Sequence, residues 1–405
     1  MQRNNDLWLG VYLPTMLLAL GQGALLATLP LYASELGFGY TMISVISAAA
    51  GIGTLVTDVP AGMAIHRLGM RRCMYFGTAL VAFSTFPLAL DLGAGAIVAL
   101  RISAGVGTAL WGLSRHTYIA TAVPIASRGQ AISTFGGVNR IGIFGGPALG
   151  GLIGTIWGMQ ASFILTGVMA LLALITVVIA LPKTSDTAPQ PRGESRERWQ
   201  LVRHTIKSNA GDLTAAGVAQ LFAQMIRQGR QLLIPLIGAN LVGLSAAQVG
   251  LVMTISSVVD MSMFIPAGYL MDRFGRKFAT VPCFAIMGIG LAMLPFATSF
   301  ATMTAIGVVI GLGNGLGSGS MMTLGADLAP EGATGEFLGI WRLIGDVGMV
   351  MGPLLVGVIA ANLDLTMSAI VLGCAGLISS LMFLFLVKET RITPEPVVVA
   401  KTTGD

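Results

Sequence analysis

Nothing constrains this chain more than its twelve apolar stretches, each about twenty residues and so long enough to cross a hydrocarbon core of about 30 Å. They fall near 7–32, 41–65, 74–92, 95–118, 130–156, 161–182, 212–238, 246–270, 277–298, 301–327, 336–361 and 366–387. Hydrophobic residues make up 54% of the 405, charged ones only 10%, more apolar surface than one water-soluble core hides. In lipid the backbone must satisfy its own hydrogen bonds, so each stretch is expected to be a helix. The first begins at Leu7 and is too long for a cleaved leader, so it is expected to be retained.

Cations sort by loop. The loops near 33–40, 92–95, 157–160, 239–245, 299–300 and 362–365 contain no Lys or Arg, whereas the alternate set carries Arg67, Arg71, Arg72, Arg128, Arg273, Arg276, Lys277 and Lys388 among others. Because Lys and Arg in short loops stay on the cytoplasmic side, both termini are expected inside a plasma membrane, with the short outer loops pointing to a bacterial inner membrane. The net charge of +5 is absorbed by this sidedness and gives no reason to expect nucleic acid as a partner. Cys73, Cys283 and Cys374 lie in or beside separate stretches with no CxxC spacing, which points to packing rather than metal or disulfide chemistry.

The longest polar stretch, residues 183–211, divides the chain into two halves, 1–182 and 212–405, the second ending in a short cytoplasmic tail. Within it RERWQLVRHTIK is expected to be a solvated tether, the alternative being a short basic helix on the inner leaflet with Trp199, Leu201, Val202 and Ile206 toward lipid. The halves repeat each other at a fixed offset of 206. PAGMAIHRLGMR at 60–71 returns as PAGYLMDRFGRK at 266–277, and Gly105, Gly107, Gly142, Gly146, Pro147 and Gly151 return as Gly311, Gly313, Gly348, Gly352, Pro353 and Gly357.

These residues resemble the major facilitator superfamily along nearly the whole chain. The loop signature of that family, GxxxDRxGRK, is matched by Gly268, Asp272, Arg273, Gly275, Arg276 and Lys277. The first copy keeps Gly62, Arg67 and Gly69 but has His66 at the Asp position and Met70 after the glycine. The resemblance implies twelve transmembrane helices in two pseudo-symmetric six-helix bundles, an all-α polytopic membrane protein working by alternating access. It also implies that the charged turns bridge neighbouring helix ends and latch one face shut. GIFGGPALGG, with Gly142, Gly146, Pro147, Gly150 and Gly151, resembles the drug and proton antiporter signature. Together with Gly352 and Pro353 it is expected to act as a pivot, since small residues allow close contact and proline weakens one backbone hydrogen bond. Arg101, four residues before Gly105 and Gly107, resembles the arginine that the family associates with proton coupling.

Ionised groups within membrane segments cost several kcal/mol unless paired or wetted. Five such arginines (Arg101, Arg140, Arg227, Arg230, Arg342) and three aspartates (Asp58, Asp260, Asp346) are counted. Asp260 and Arg140 lie at matching depth, roughly 18 Å from the inner ends at 1.5 Å per residue, and since the resemblance implies that the fifth and eighth spans pack across the interface between the halves, they are expected to pair. The resemblance likewise implies that the second span packs against the eleventh, so Asp58, Arg342 and Asp346 are expected to form a second cluster, Arg342 and Asp346 being four residues apart on one helix. Gln220, Gln224, Arg227 and Gln231, joined by Arg230, share one helical face and are expected to line the substrate cavity. The excess of two positive charges favours an anionic or zwitterionic group on the molecule carried.

GLGNGLGSGS at 311–320 looks like a phosphate loop, but no Walker lysine follows and the GxGxxG frame fails, so it is expected to be a close-packed tenth span rather than a nucleotide site. The expected function is proton-coupled export of small amphipathic molecules by a monomer in the lipid bilayer, with the proton gradient as energy source and no cofactor. The alternative is a carrier or flippase of an organic anion or anionic lipid, by symport or uniport. A polytopic membrane enzyme is more distant, because the three histidines lack nucleophile and carboxylate partners.

Overall fold

A computed structural model describes residues 7–181 and 195–390. The side chains of His66, Arg128, residues 195–198 and a few aliphatic positions are not described, so the His66 of the first charged turn lies outside it. The first half comprises α1 (Leu13–Glu35), preceded by a π-helical turn at Trp8–Tyr12, then α2 (Tyr40–Leu68), α3 (Met70–Thr85), α4 (Ala94–Ala122), α5 (Ile125–Trp157) and α6 (Met159–Ala180). The linker contributes α7 (Ser195–Ser208). The second half comprises α8 (Ala210–Asn240), α9 (Ala246–Ser262), α10 (Phe264–Phe274), α11 (Arg276–Met293), α12 (Phe300–Leu316), α13 (Ser320–Leu328), α14 (Thr334–Asn362) and α15 (Leu365–Phe385).

Two of the twelve apolar stretches are therefore broken helices. The eighth bends at Met263, between α9 and α10, and the tenth at Gly317–Gly319, where Gly319 has φ +78°. The tenth still spans Phe300–Leu328 with closely packed glycines, as expected, but in two helical pieces, because a left-handed residue cannot continue an α-helix. Among the described residues, nine helices are long and apolar enough to cross a membrane. The other three expected spans fall short for visible reasons: α3 has only 16 residues, and α5 and α8 are diluted by glycine, glutamine and arginine.

The 206-residue repeat is a repeat of backbone contacts. A Cβ at Gly105 would fall 2.1 Å from the carbonyl oxygen of Ala50, and one at Gly311 would fall 2.2 Å from that of Ser256, the position 206 residues on. Gly146 packs on Gly23 as Gly352 packs on Gly229, and Gly107 approaches Gly77 as Gly313 approaches Cys283. Lipid tails are as apolar as leucine, so helices in a bilayer gain from close approach rather than from hiding oil. Glycine provides that approach, which explains why these positions recur when most others do not.

The halves meet along α2 against α14 and α5 against α9. Here too the contacts pair by symmetry: Gly151 of α5 abuts the carbonyl of Ala246 at the start of α9, and Gly357 of α14 abuts that of Tyr40 at the start of α2. Both lie toward the face whose loops lack cations, and they seal it; the backbone N–H of Ala247 adds a 2.9 Å hydrogen bond to Thr155 Oγ1 across the same seam. The linker segment is a helix rather than a plain tether, with Trp199, Leu201 and Ile206 exposed but Val202 not. Val202 is buried between Ala333 and Phe337 of the second half, so α7 docks on that bundle through the side of its amphipathic face that carries Val202.

Candidate functional site

Between the halves lies a cavity of about 530 Å³. Its walls come mainly from the first half, including Thr15 and Gln22 of α1, Thr54 and Asp58 of α2, and Asn139 of α5, while α14 supplies Glu336, Arg342 and Asp346. It reaches the cation-bearing face at Trp199 of α7 and Glu336. A smaller extension of about 230 Å³ runs toward the sealed face past Pro30, Ser47, Gln228, Gln231 and Met349. The cavity is thus open toward one side of the membrane and closed toward the other.

Helix α4 presents its polar residues to this space because Arg101, Thr108 and Arg115 recur every seven residues, two full turns, on one face. Arg101 looks into the cavity. Arg115 lies with its guanidinium 4.3 Å from the centre of the Phe135 ring and 5.9 Å from that of Trp111, and His116 meets Phe135 edge-on. Across the cavity Arg342 stands 3.4 Å from Asp58 and 3.5 Å from Asp346, joining α14 to α2. Its side chain is 61% exposed, so this is a wetted ion pair, and its strength is modest.

The expected pair between Arg140 and Asp260 is not formed. Asp260 takes Arg230 of its own half at 3.7 Å and accepts a hydrogen bond from Asn314, whereas the Arg140 guanidinium lies 3.5 Å from the centre of the Phe264 ring. Beside the break at Met263, Asp260 faces the second bundle, where α8 and α12 offer partners. The cavity expectation for α8 is corrected likewise. Gln220 is buried, Gln220 and Gln224 pack against Gly345, and Arg227 donates to the carbonyl of Gly317 at 3.1 Å. Arg227 thereby satisfies a carbonyl freed by the break after α12, where the helix dipole also favours a cation. Of the five residues expected on the cavity, only Gln231 reaches the space between the halves, accompanied by Gln228.

The second charged turn ties down its own bundle. Arg276 pairs with Asp327 at 2.8 Å and with Asp272 at 3.7 Å, and Glu389 accepts from the backbone N–H groups of Arg276 and Lys277. Arg273 lies against Tyr269 and Phe274, and Asp272 is mostly exposed. Helix ends are bridged as expected, but all of these partners are in the second half, and the face they border is the open one. In the first half Arg67 is exposed. Gly69 and Gly275 have φ of +88° and +114° at matching turns, and a Cβ on Gly275 would also strike the Glu389 carboxylate. Gly275→Ala is expected to destabilise the second bundle by about 1–3 kcal/mol, read as an earlier unfolding midpoint in detergent, while Gly268→Ala, with open space around it, changes little.

Gly142, Gly146 and Gly150, grouped with Pro147 as a pivot, line the seam with α1, and Gly352 with Pro353 lies at the equivalent place against α8. Gly62 rests near Leu113 of α4. Arg115, which falls within 95–118, and Gln228, Asn314 and Glu389 were not among the residues singled out; for Arg115 the seven-residue spacing from Arg101 was the available signal.

The family model of the Major Facilitator Superfamily matches residues 11–226 and again 216–402. The chain belongs to the major facilitator superfamily. An uncharacterized MFS-type transporter of Methanocaldococcus jannaschii is 22% identical over 375 residues, 92% of this chain and 96% of the relative. A bacillibactin exporter of Bacillus subtilis is 39% identical over 74 residues, 18% of each chain. Among solved structures, a nucleoside transporter superposes with a TM-score of 0.78 at 14% identity, over 95% of this chain and all of that one, and a D-xylose-proton symporter with 0.70 at 18%, over 94% and 97%. At such identities these show the fold alone. This facilitator is therefore a multi-pass membrane protein performing secondary transport, and not an enzyme.

Proposed function

We propose that this facilitator exports small amphipathic molecules in exchange for protons by alternating access. The observation that carries this reading is the cluster of Asp58, Arg342 and Asp346, which joins the two halves and lines the cavity. A proton on either aspartate weakens its hold on Arg342, so protonation and the parting of α2 from α14 are linked through one guanidinium. The apolar walls around it, among them Leu18, Leu113 and Leu343, suit the hydrophobic part of a substrate. Asp260, engaged inside the second half by Arg230 and Asn314 and away from the cavity, is assigned a structural role. In this reading the charged face is cytoplasmic, both termini lie inside a bacterial plasma membrane, the monomer is sufficient, and the proton gradient is the only energy source. The bacillibactin exporter among the relatives is consistent with outward transport.

In proteoliposomes with an internal pH dye, a transported amphiphile is expected to move protons in wild type, with at least a tenfold loss in Asp346→Asn while binding persists. Full proton movement in both Asp346→Asn and Asp58→Asn would refute the assignment. The second reading, an organic-anion or anionic-lipid carrier by symport or uniport, is favoured by Arg101 and Arg115; anion flux without proton movement would select it.

A further inference from the structure

We propose that Arg115 and Arg101 are successive stations for an acidic head group, so that the molecule carried is an amphiphile bearing a carboxylate, sulfonate or phosphate. The inference rests on the transporter reading and specifies its substrate. Of the cations described within the two bundles, Arg342 has Asp58 and Asp346, Arg230 has Asp260, Arg227 has the Gly317 carbonyl, and Arg140 lies over the Phe264 ring outside the cavity lining. Arg101 and Arg115 have none of these: among the described residues no hydrogen bond or ion pair engages either one, and the Nε atom of each is buried without a partner. An arginine in this position stays charged, since guanidinium does not lose its proton in proteins. Two such groups facing one cavity are costly to the empty protein, and an acidic ligand removes that cost.

The environment of Arg115 suits this role. Its guanidinium carbon lies 4.3 Å from the centre of the Phe135 ring and the residue lines the cavity, where guanidinium N–H groups suit the paired oxygens of a carboxylate or phosphate. Asp58 on the neighbouring α2 and Asp346 on α14 are held by Arg342, and neither forms an ion pair with Arg115. Arg101 and Arg115 are fourteen residues apart, about 21 Å along the helix, too far to grip one head group together. Thr108 lies midway on the same face and offers a hydroxyl between them. The stripe therefore describes a path: Arg115 receives the acid nearer the open face, and Arg101 holds it beside the extension toward the sealed face, whose lining it shares.

The test uses the full chain in phosphatidylcholine nanodiscs, titrated with 2-naphthoate, its methyl ester and 2-naphthyltrimethylammonium. Binding is followed by calorimetry and by the fluorescence of Trp111, which borders the cavity. The acid is expected to bind at least tenfold more tightly than the ester, and Arg115→Gln to weaken the acid by about tenfold, the loss of one charge-assisted bidentate contact, while leaving the ester unchanged. Retained ester binding shows that the variant is folded, and Arg115→Lys is expected to recover part of the affinity. Equal binding of acid and ester in wild type, or equal weakening of both by Arg115→Gln, would overturn the proposal. Adding phosphatidylglycerol distinguishes the source of the head group: Arg115-dependent competition identifies a lipid, and its absence a soluble acid. Proton movement without head-group preference would sink the arginine stations and spare export; acid binding without proton movement would do the reverse.

Discussion

Gly151→Val is expected to hold the cation-poor face open and to reduce transport more than tenfold. A Cβ there would lie 2.2 Å from the carbonyl oxygen of Ala246 and 2.9 Å from its carbon, and the obstacle is backbone at the first turn of α9, which no rotamer change relieves. Because the contact joins the halves and neither bundle needs it internally, the substitution biases the position of one bundle against the other rather than unfolding either. Spin labels at Glu35 and Asn240, exposed ends of α1 and α8, are expected to move apart in the variant. Gly357→Val, the symmetry mate meeting Tyr40 and Ser44, should act in the same direction. Gly137→Val on the same helix α5, with nothing within 4 Å, is the control. Unchanged label distances with normal transport would show that the seal is not the moving seam.

The second large effect is expected at Asp260, and it is one of stability. Replacing this carboxylate by leucine strands Arg230, whose side chain is only 12% exposed, in the second bundle. Breaking a buried pair from one side costs about 3–5 kcal/mol, measurable as a lowered midpoint in detergent-driven unfolding. Asp260→Leu combined with Arg230→Met is expected to recover most of that loss, since an apolar pair of similar volume leaves no charge without a partner. Proton coupling, measured in Asp260→Asn, should persist. A variant of normal stability that no longer couples protons would return Asp260 to the transport mechanism and remove Asp346 from it.

The two aspartates show where sequence reasoning stops. Depth along a helix is legible in the chain because rise per residue is constant, and the packing of second against eleventh span that the family resemblance implied does bring Asp58, Arg342 and Asp346 together. Rotation is legible only while the helix is unbroken. At Met263 the eighth segment bends, and Asp260 turns from the other half toward Arg230 and Asn314. The polar stripe of α8 misled for a related reason: periodicity shows that Gln220, Gln224 and Arg227 share a face, but the inside of a bundle and the space between bundles are equally shielded from lipid.

By itself the sequence determined the membrane, the helical class and the internal symmetry, because a bilayer requires apolar length and self-satisfied backbone, and because glycine contacts are as specific as the carbonyls they touch. Only the tertiary structure decided which face is sealed, that the second charged turn braces its own half, and that Arg101, Thr108 and Arg115 line one cavity. Those outcomes depend on the rotation and breakage of helices against their neighbours, and a one-dimensional pattern of residues does not carry that information.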